Sequence, residues 1–158
     1  MKPTTPWKFL CVGAAAVGFC LAADQDAKLL PEGPGKEVVG RLCTECHGPE
    51  NFRRFRHDKD EWSESVADMV DRGAKGTPAE LAAVVDYLVQ NFGADSKVNV
   101  NTAPLQELKS QLDLTVPEAQ ALIAYRQNNG GFKEWRDLLK VNGVDAQKVE
   151  AKKEKMAF

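Results

Sequence analysis

The chain has 158 residues, of which 43% are apolar and 28% are charged, and its 21 Lys and Arg nearly balance its 23 Asp and Glu. This composition is ordinary for a soluble protein. It excludes a collagen-like chain, a chain that is disordered by composition and a protein that binds nucleic acid through bulk positive charge.

The amino terminus has the pattern of an export signal. Lys2 and Lys8 give a basic start, and residues 9–23 form an uncharged run of 15 that ends in small residues before Asp24. This run is shorter than the roughly 20 apolar residues of a membrane-spanning helix. We therefore predict a signal peptide at residues 1–23, with a retained anchor as the alternative. The expected location is the bacterial periplasm or the exterior of the cell envelope, with no integral membrane span after signal removal.

The remaining chain divides into two segments of different charge. Residues 24–94 carry 9 basic and 14 acidic residues, a net charge of -5, whereas residues 95–158 carry 10 and 9, a net charge of +1. A Gly-Ala-Asp-Ser sequence at residues 93–96 has the composition of a linker. We predict two small domains, and a segment of about 65 residues needs a cofactor, a neighbour or very regular packing for stability.

Three helices are predicted in the first domain, and no segment shows the alternation of a strand. An apolar face runs over residues 35–42, and a second runs over residues 59–72. The third helix has Thr77 as N-cap and Pro78 at its first position, and it ends at Gly93. The predicted fold class is all-α for both domains.

The strongest motif is Cys43-Thr44-Glu45-Cys46-His47. Two thiols three positions apart on one helical turn can bond to the two vinyl groups of a porphyrin, and the adjacent imidazole can reach the iron. Over residues 33–92 the chain resembles the small monohaem c-type cytochromes of class I. The resemblance implies one covalently attached haem c on Cys43 and Cys46, with His47 as proximal iron ligand. A redox-active dithiol and a zinc site that includes His57 are the alternatives.

The sixth iron ligand is a separate prediction. The resemblance implies a Met before the last helix, and Met69 is the only Met between the motif and that helix. His57 is the rival ligand, an open site is a third possibility, and Met69 is otherwise a core residue. An Arg within residues 53–56 is a candidate partner of a haem propionate. Trp62 is placed either against the porphyrin or in the protein core.

The predicted chemistry follows from the ligands. An iron with both axial positions filled by protein is suited to one-electron transfer, which makes the first domain an electron carrier and not an enzyme. Its expected partners are a redox protein donor and a redox protein acceptor. An open sixth position would instead allow peroxidase-like turnover.

The second domain resembles the exported helix-hairpin-helix domain of the ComEA type, known from competence DNA receptors. The resemblance extends over residues 98–150 and includes the opening at residues 98–103, the helix at residues 119–126 and the turn at residues 129–132. It implies short helices joined by tight turns. The expected cap is Asn101 or Thr102, and the expected core residues are Leu122, Ile123, Trp135, Leu138 and Leu139.

The hairpins themselves depart from the family pattern. The resemblance implies Gly-hydrophobic-Gly at each hairpin, where main-chain amides hold phosphates. The first hairpin has Asp113 and Thr115 at its Gly positions, the second has Asp145 at one of them, and Glu118 replaces a common Lys. These carboxylates and a net charge of +1 disfavour DNA, so we predict docking of a protein partner through residues 97–150. A DNA-binding cytochrome is the alternative.

Overall fold

The computed structural model describes residues 29–158, and the predicted signal peptide at residues 1–23 lies outside the described residues. The α-helices described are α1 Lys36–Cys43, α2 Glu50–Arg53, α3 Lys59–Asp71, α4 Pro78–Phe92, α5 Leu105–Leu112, α6 Val116–Asn129 and α7 Ala146–Ala151. The strands described are β1 Val98–Asn99 and β2 Met156–Ala157, and the 3-10 helices are Trp135–Lys140 and Lys153–Lys155.

The N-terminal unit, residues 29–97, confirms the three helices predicted there to within one residue. Helix α4 begins as expected, because the Thr77 side chain accepts from the backbone N–H of Glu80 and the Glu80 side chain accepts from that of Thr77. Helices α1, α3 and α4 pack around one apolar core. Its buried members include Leu30, Val39, Phe52, Trp62, Val84, Tyr87, Leu88 and Phe92.

A glycine allows α1 to approach α4 closely. Gly35 precedes α1 with a φ of 90°. A Cβ at this position would lie 2.9 Å from the carbonyl oxygen of Ala83 and 3.0 Å from Cβ of Tyr87. Both the backbone conformation and the contact therefore favour the absence of a side chain.

The C-terminal unit, residues 98–158, shows that the all-α prediction is wrong in one detail. Strand β1 pairs in parallel with β2, so that Val98 lies opposite Met156 and Asn99 opposite Ala157. Two-residue strands are too short to produce an alternating pattern in the sequence, and this explains why they were not predicted. The strand pair joins the two ends of the unit, and its residues Val98 and Met156 belong to the same buried core as residues of α5, α6 and α7.

Two further expectations for this unit are corrected. Helix α5 begins after Pro104, whereas Asn101 exchanges two hydrogen bonds with the backbone of Phe132, at 2.8 and 2.7 Å. Leu138 is fully buried but Leu139 is 44% exposed. Both lie in a 3-10 helix, which has three residues per turn, and only one of two consecutive side chains there faces the core.

The two units are joined through buried charges. The carboxylate of Glu107 in α5 lies 2.8 Å from Nη2 of Arg53 and 2.6 Å from Nη2 of Arg56. The side chains of Glu107 and Arg53 are each 2% exposed, and that of Arg56 is 8% exposed. Two of the three candidate partners of a haem propionate, Arg53 and Arg56, therefore pair with Glu107 of the C-terminal unit. Within residues 29–158, no helix has the length and apolar character that crossing a membrane requires.

Candidate nucleic-acid interface

Two tight turns of the C-terminal unit form neighbouring hairpins. The first hairpin, residues 113–115, connects α5 to α6, and the second, residues 143–145, leads into α7. Asp113 has a φ of 55° and Gly143 a φ of 86°, so both lie in the left-handed region. Asp tolerates this region better than most residues, which explains how the first hairpin keeps its shape without a glycine.

The carboxylate of Glu118 connects the two hairpins. It accepts from the backbone N–H of Thr115 at 2.7 Å and from the hydroxyl of Thr115 at 2.7 Å. It also accepts from the backbone N–H of Asp145 at 3.1 Å and from Nζ of Lys148 at 2.9 Å. Sequence reasoning did not identify this role. The Thr-x-x-Glu spacing at residues 115–118 is typical of a capping box and would have predicted the bonds between Glu118 and Thr115, but not those to the second hairpin.

Two of the three carboxylates that were predicted to repel phosphates are paired with lysines, whereas Asp145 accepts from the backbone N–H of Gln147 at 2.8 Å. Glu118 is only 6% exposed and is paired with Lys148, and Asp113 is paired with Lys152 at 2.5 Å. The hydrogen bond from Lys152 lowers the pKa of Asp113, so this carboxylate is charged but compensated. The sequence shows how many acidic residues lie in and beside the hairpins, but not which lysines form ion pairs with them.

Two further lysines follow in the same segment. Lys153 lies over the ring of Trp135, with Nζ 5.4 Å from the ring centroid, and Lys155 is exposed. The charge of Lys155 also contributes to the lowered pKa of Asp113. Residues 148–155 thus supply two lysines that form ion pairs with Glu118 and Asp113, and two that form no ion pair within residues 29–158.

Acid is expected to weaken the connection between the hairpins. The hydrogen bonds from Lys148 and Thr115 lower the pKa of Glu118 from an ordinary 4.5 to about 2. A carboxyl group with a lowered pKa in the folded state stabilises the fold fully above its unfolded pKa and loses this effect as the pH falls towards the folded value. The free energy of unfolding of wild type should therefore exceed that of Glu118→Gln near neutrality. This difference should shrink as the pH falls from about 4.5 to about 2.

Urea unfolding across this pH range measures the effect. Glu154→Gln is the matched control, because Glu154 is exposed. The control should differ from wild type by a small and nearly constant amount. A difference for Glu118→Gln that stays constant down to a pH of about 2 would contradict the role assigned to this carboxylate.

The Cys-x-x-Cys-His motif lies in the N-terminal unit. Cys43 is the last residue of α1 and is half-buried, and burial raises the pKa of its thiol to about 11. Cys46 is exposed, and neither thiol forms a disulfide. Nδ1 of His47 lies 3.4 Å from the carbonyl oxygen of Gly48. Helix α1 ends at Cys43, and Cys46 and His47 lie in the turn that follows it, so the two thiols do not share a helical turn.

The two candidate distal ligands, Met69 and His57, lie in different environments. Met69 is on α3 and is 39% exposed, so it is not a core residue. The ring of His57 stacks on Phe55 at 5.3 Å and meets Trp62 edge-on at 4.9 Å. Trp62 is 2% exposed and its Nε1 donates to the carbonyl oxygen of Phe92 at 3.0 Å, so the assignment of Trp62 to the core is confirmed.

A groove of about 330 Å³ lies between α3 and α4, and its apolar lining includes Val66, Val70, Leu81 and Val85. The end of α1 is close to it, because a Cβ on Gly76 would lie 2.9 Å from Leu42 and 3.2 Å from Leu81. None of the motif residues Cys43, Cys46 and His47 lines this groove. The side chains that would hold a haem are the two thiols of the motif and His47, and the group would supply redox chemistry.

Comparison with known proteins concerns the C-terminal unit. The family model for the helix-hairpin-helix motif matches residues 93–156. These residues form a helix-hairpin-helix module. The match supports the predicted resemblance of this part of the chain to ComEA-type domains.

The similar proteins align with less than half of the chain, and the chain covers less than two thirds of the length of each. ComE operon protein 1 of Bacillus subtilis is 40% identical over 58 residues, which cover 37% of this chain and 28% of that protein. Endonuclease/exonuclease/phosphatase family domain-containing protein 1 of Homo sapiens is 41% identical over 54 residues, which cover 34% of this chain and 10% of that protein. An uncharacterized protein of Haemophilus influenzae is 32% identical over 63 residues, which cover 39% of this chain and 56% of that protein. No solved structure matches the chain.

One functional expectation is corrected by these findings. The description of the chain as a metal-binding, haem-iron protein of electron transport, with DNA binding in a minor role, is overturned. The family match and the ComE relative point to DNA binding. In addition, residues 29–158 contain no group of three or more His, Cys, Asp or Glu side chains placed to hold a metal ion.

Covalent haem attachment itself stays a prediction, because the matched residues do not include Cys43, Cys46 or His47. The distal role of Met69 and the expectation that the chain is not an enzyme also stay predictions. The intact mass of the exported chain, together with a pyridine haemochrome spectrum, tests the attachment. One haem should be bound in wild type and none in a Cys43→Ala/Cys46→Ala variant, and a wild-type mass of amino acids alone would contradict the prediction.

Proposed function

We propose that the chain is an exported DNA-binding protein whose helix-hairpin-helix module contacts the phosphate backbone of duplex DNA. The observation that carries this proposal is the pairing of Glu118 with Lys148 and of Asp113 with Lys152, which leaves Lys153 and Lys155 of the same segment without an ion pair in residues 29–158. The resemblance of the module to competence DNA receptors points in the same direction.

The contact falls on lysine side chains more than on hairpin amides. In the family pattern the amides of the hairpins hold phosphates, but here the N–H groups of Thr115 and Asp145 already donate to Glu118. Lysine ammonium groups attract phosphates as point charges and release counterions on binding. Phosphate contacts carry no base information, so the proposed binding does not depend on sequence.

Export is part of the same proposal. The basic start and the uncharged run at residues 9–23 support a signal sequence. The resemblance to exported competence domains supports the same location. A DNA-binding module outside the cytoplasm would meet DNA in the periplasm or at the cell surface.

A binding assay with two duplexes of unrelated sequence tests the proposal. Anisotropy of labelled 20-base-pair duplexes should give Kd values that agree within about threefold, because contacts to the backbone are the same for both sequences. A large preference for one duplex would show base readout and contradict this mode. Absence of binding to either duplex would favour the docking of a protein partner through residues 97–150.

A further inference from the structure

The N-terminal unit is held against the module at the helix that leads into the first hairpin. Besides the pairs with Glu107, the backbone carbonyl of Arg54 accepts from the Ser110 hydroxyl at 2.9 Å and from Nε2 of Gln111 at 2.7 Å. Gln111 lies two residues before Asp113, which is about 3 Å further along the axis of α5 at the rise of an α-helix. The main chain of Arg54 is therefore held close to the first hairpin.

The seam between the two units carries excess positive charge. The guanidinium groups of Arg53 and Arg56 share the single carboxylate of Glu107. Arg126 of α6 lies near the same group: burial lowers the pKa of its guanidinium, the charge of Arg53 lowers it further, and the charge of Glu107 opposes this. The two arginines that pair with Glu107 therefore leave one positive charge uncompensated at the seam, and this charge attracts anions.

Arg54 is the exposed member of this arginine-rich seam. Among the ion pairs of residues 29–158, none includes Arg54. Its guanidinium carbon lies 4.7 Å from the centroid of the Phe55 ring, and Phe55 stacks on His57. The contact with the ring restricts the positions of the guanidinium group, so less side-chain conformational entropy is lost when it binds a phosphate.

We propose that Arg54, which lies outside the helix-hairpin-helix module, provides an additional phosphate contact and extends the DNA-binding surface across the seam between the two units. This inference rests on the proposed function. Duplex DNA carries one negative charge per about 1.7 Å of its axis, so a cation beside the first hairpin lies close to a phosphate of the same duplex. The N-terminal unit would then strengthen binding without altering sequence preference.

The test is the salt dependence of duplex binding by the full-length wild type and its Arg54→Ala variant. Each phosphate contact contributes about 0.9 to the slope of log K against log salt concentration. The variant should lose about 0.9 of slope, so that the affinity advantage of wild type falls about threefold between 50 and 200 mM salt. Arg54→Lys should restore most of the slope, because a point charge satisfies the same contact.

Arg72→Ala is the matched control, since Arg72 is an exposed arginine at the end of α3 and its slope should equal that of wild type. Thermal unfolding of each variant checks the fold, which should persist because Arg54 bonds to α5 through its main-chain carbonyl. A wild-type slope in Arg54→Ala would overturn this inference alone. Absence of wild-type binding would overturn the proposed function and this inference together.

Discussion

Replacement of Glu107 by alanine is expected to lower the free energy of unfolding by about 3–5 kcal/mol, the usual cost of removing one partner from a buried ion pair. The loss leaves the guanidinium groups of Arg53 and Arg56 without their shared carboxylate, and both side chains are less than one-tenth exposed. Arg53 retains its bond to the carbonyl oxygen of Leu29, and Arg56 retains one to that of Ser96. These bonds do not neutralise the two charges.

Urea unfolding of the full chain measures the loss. Asp86→Ala is the matched control, because Asp86 pairs with Lys59 at 3.3 Å on the surface and both side chains are about 70% exposed. Its cost should be below about 1 kcal/mol. A cost for Glu107→Ala that is no larger than that of the control would show that the buried pairs do not join the two units.

The double variant Lys153→Ala/Lys155→Ala is expected to show the largest effect on DNA binding. The two lysines lie in the same segment as Lys148 and Lys152 and form no ion pair within residues 29–158. Loss of two phosphate contacts lowers the slope of log K against log salt concentration by about 1.8, and the affinity advantage of wild type then falls about tenfold between 50 and 200 mM salt.

The matched control for this variant is Lys59→Ala/Lys75→Ala, which removes two exposed lysines of the N-terminal unit. Its slope should remain that of wild type, although its net charge equals that of the test variant. Equal slopes for the two double variants would mean that net charge alone drives binding. Lys153 and Lys155 would then have no specific place in the proposed interface.

The elements that could be predicted from the sequence are those with local signals. Helix α4 has its cap, its first-turn proline and its apolar face within residues 77–93, and its bounds were predicted correctly. The helix-hairpin-helix module was also recognised from its sequence, because its turns and helices occur in one continuous stretch. Local chemistry determines such features, and a single sequence contains all of it.

The features that could not be predicted depend on partners far apart in the chain. Glu107 lies 54 residues after Arg53, and Lys148 lies 30 residues after Glu118. Composition gave the number of charges but not their pairing. The ranking of protein docking above DNA binding was therefore based partly on Glu118 and Asp113, which are paired with lysines in the folded chain.

The salt dependence of duplex DNA binding by the full chain tests the central claim most directly. The account predicts a straight line of log K against log salt concentration with a slope steeper than about -1.8, the contribution of two phosphate contacts. A duplex affinity that does not change between 50 and 200 mM salt, or no measurable binding at 50 mM, would contradict phosphate recognition by the helix-hairpin-helix module.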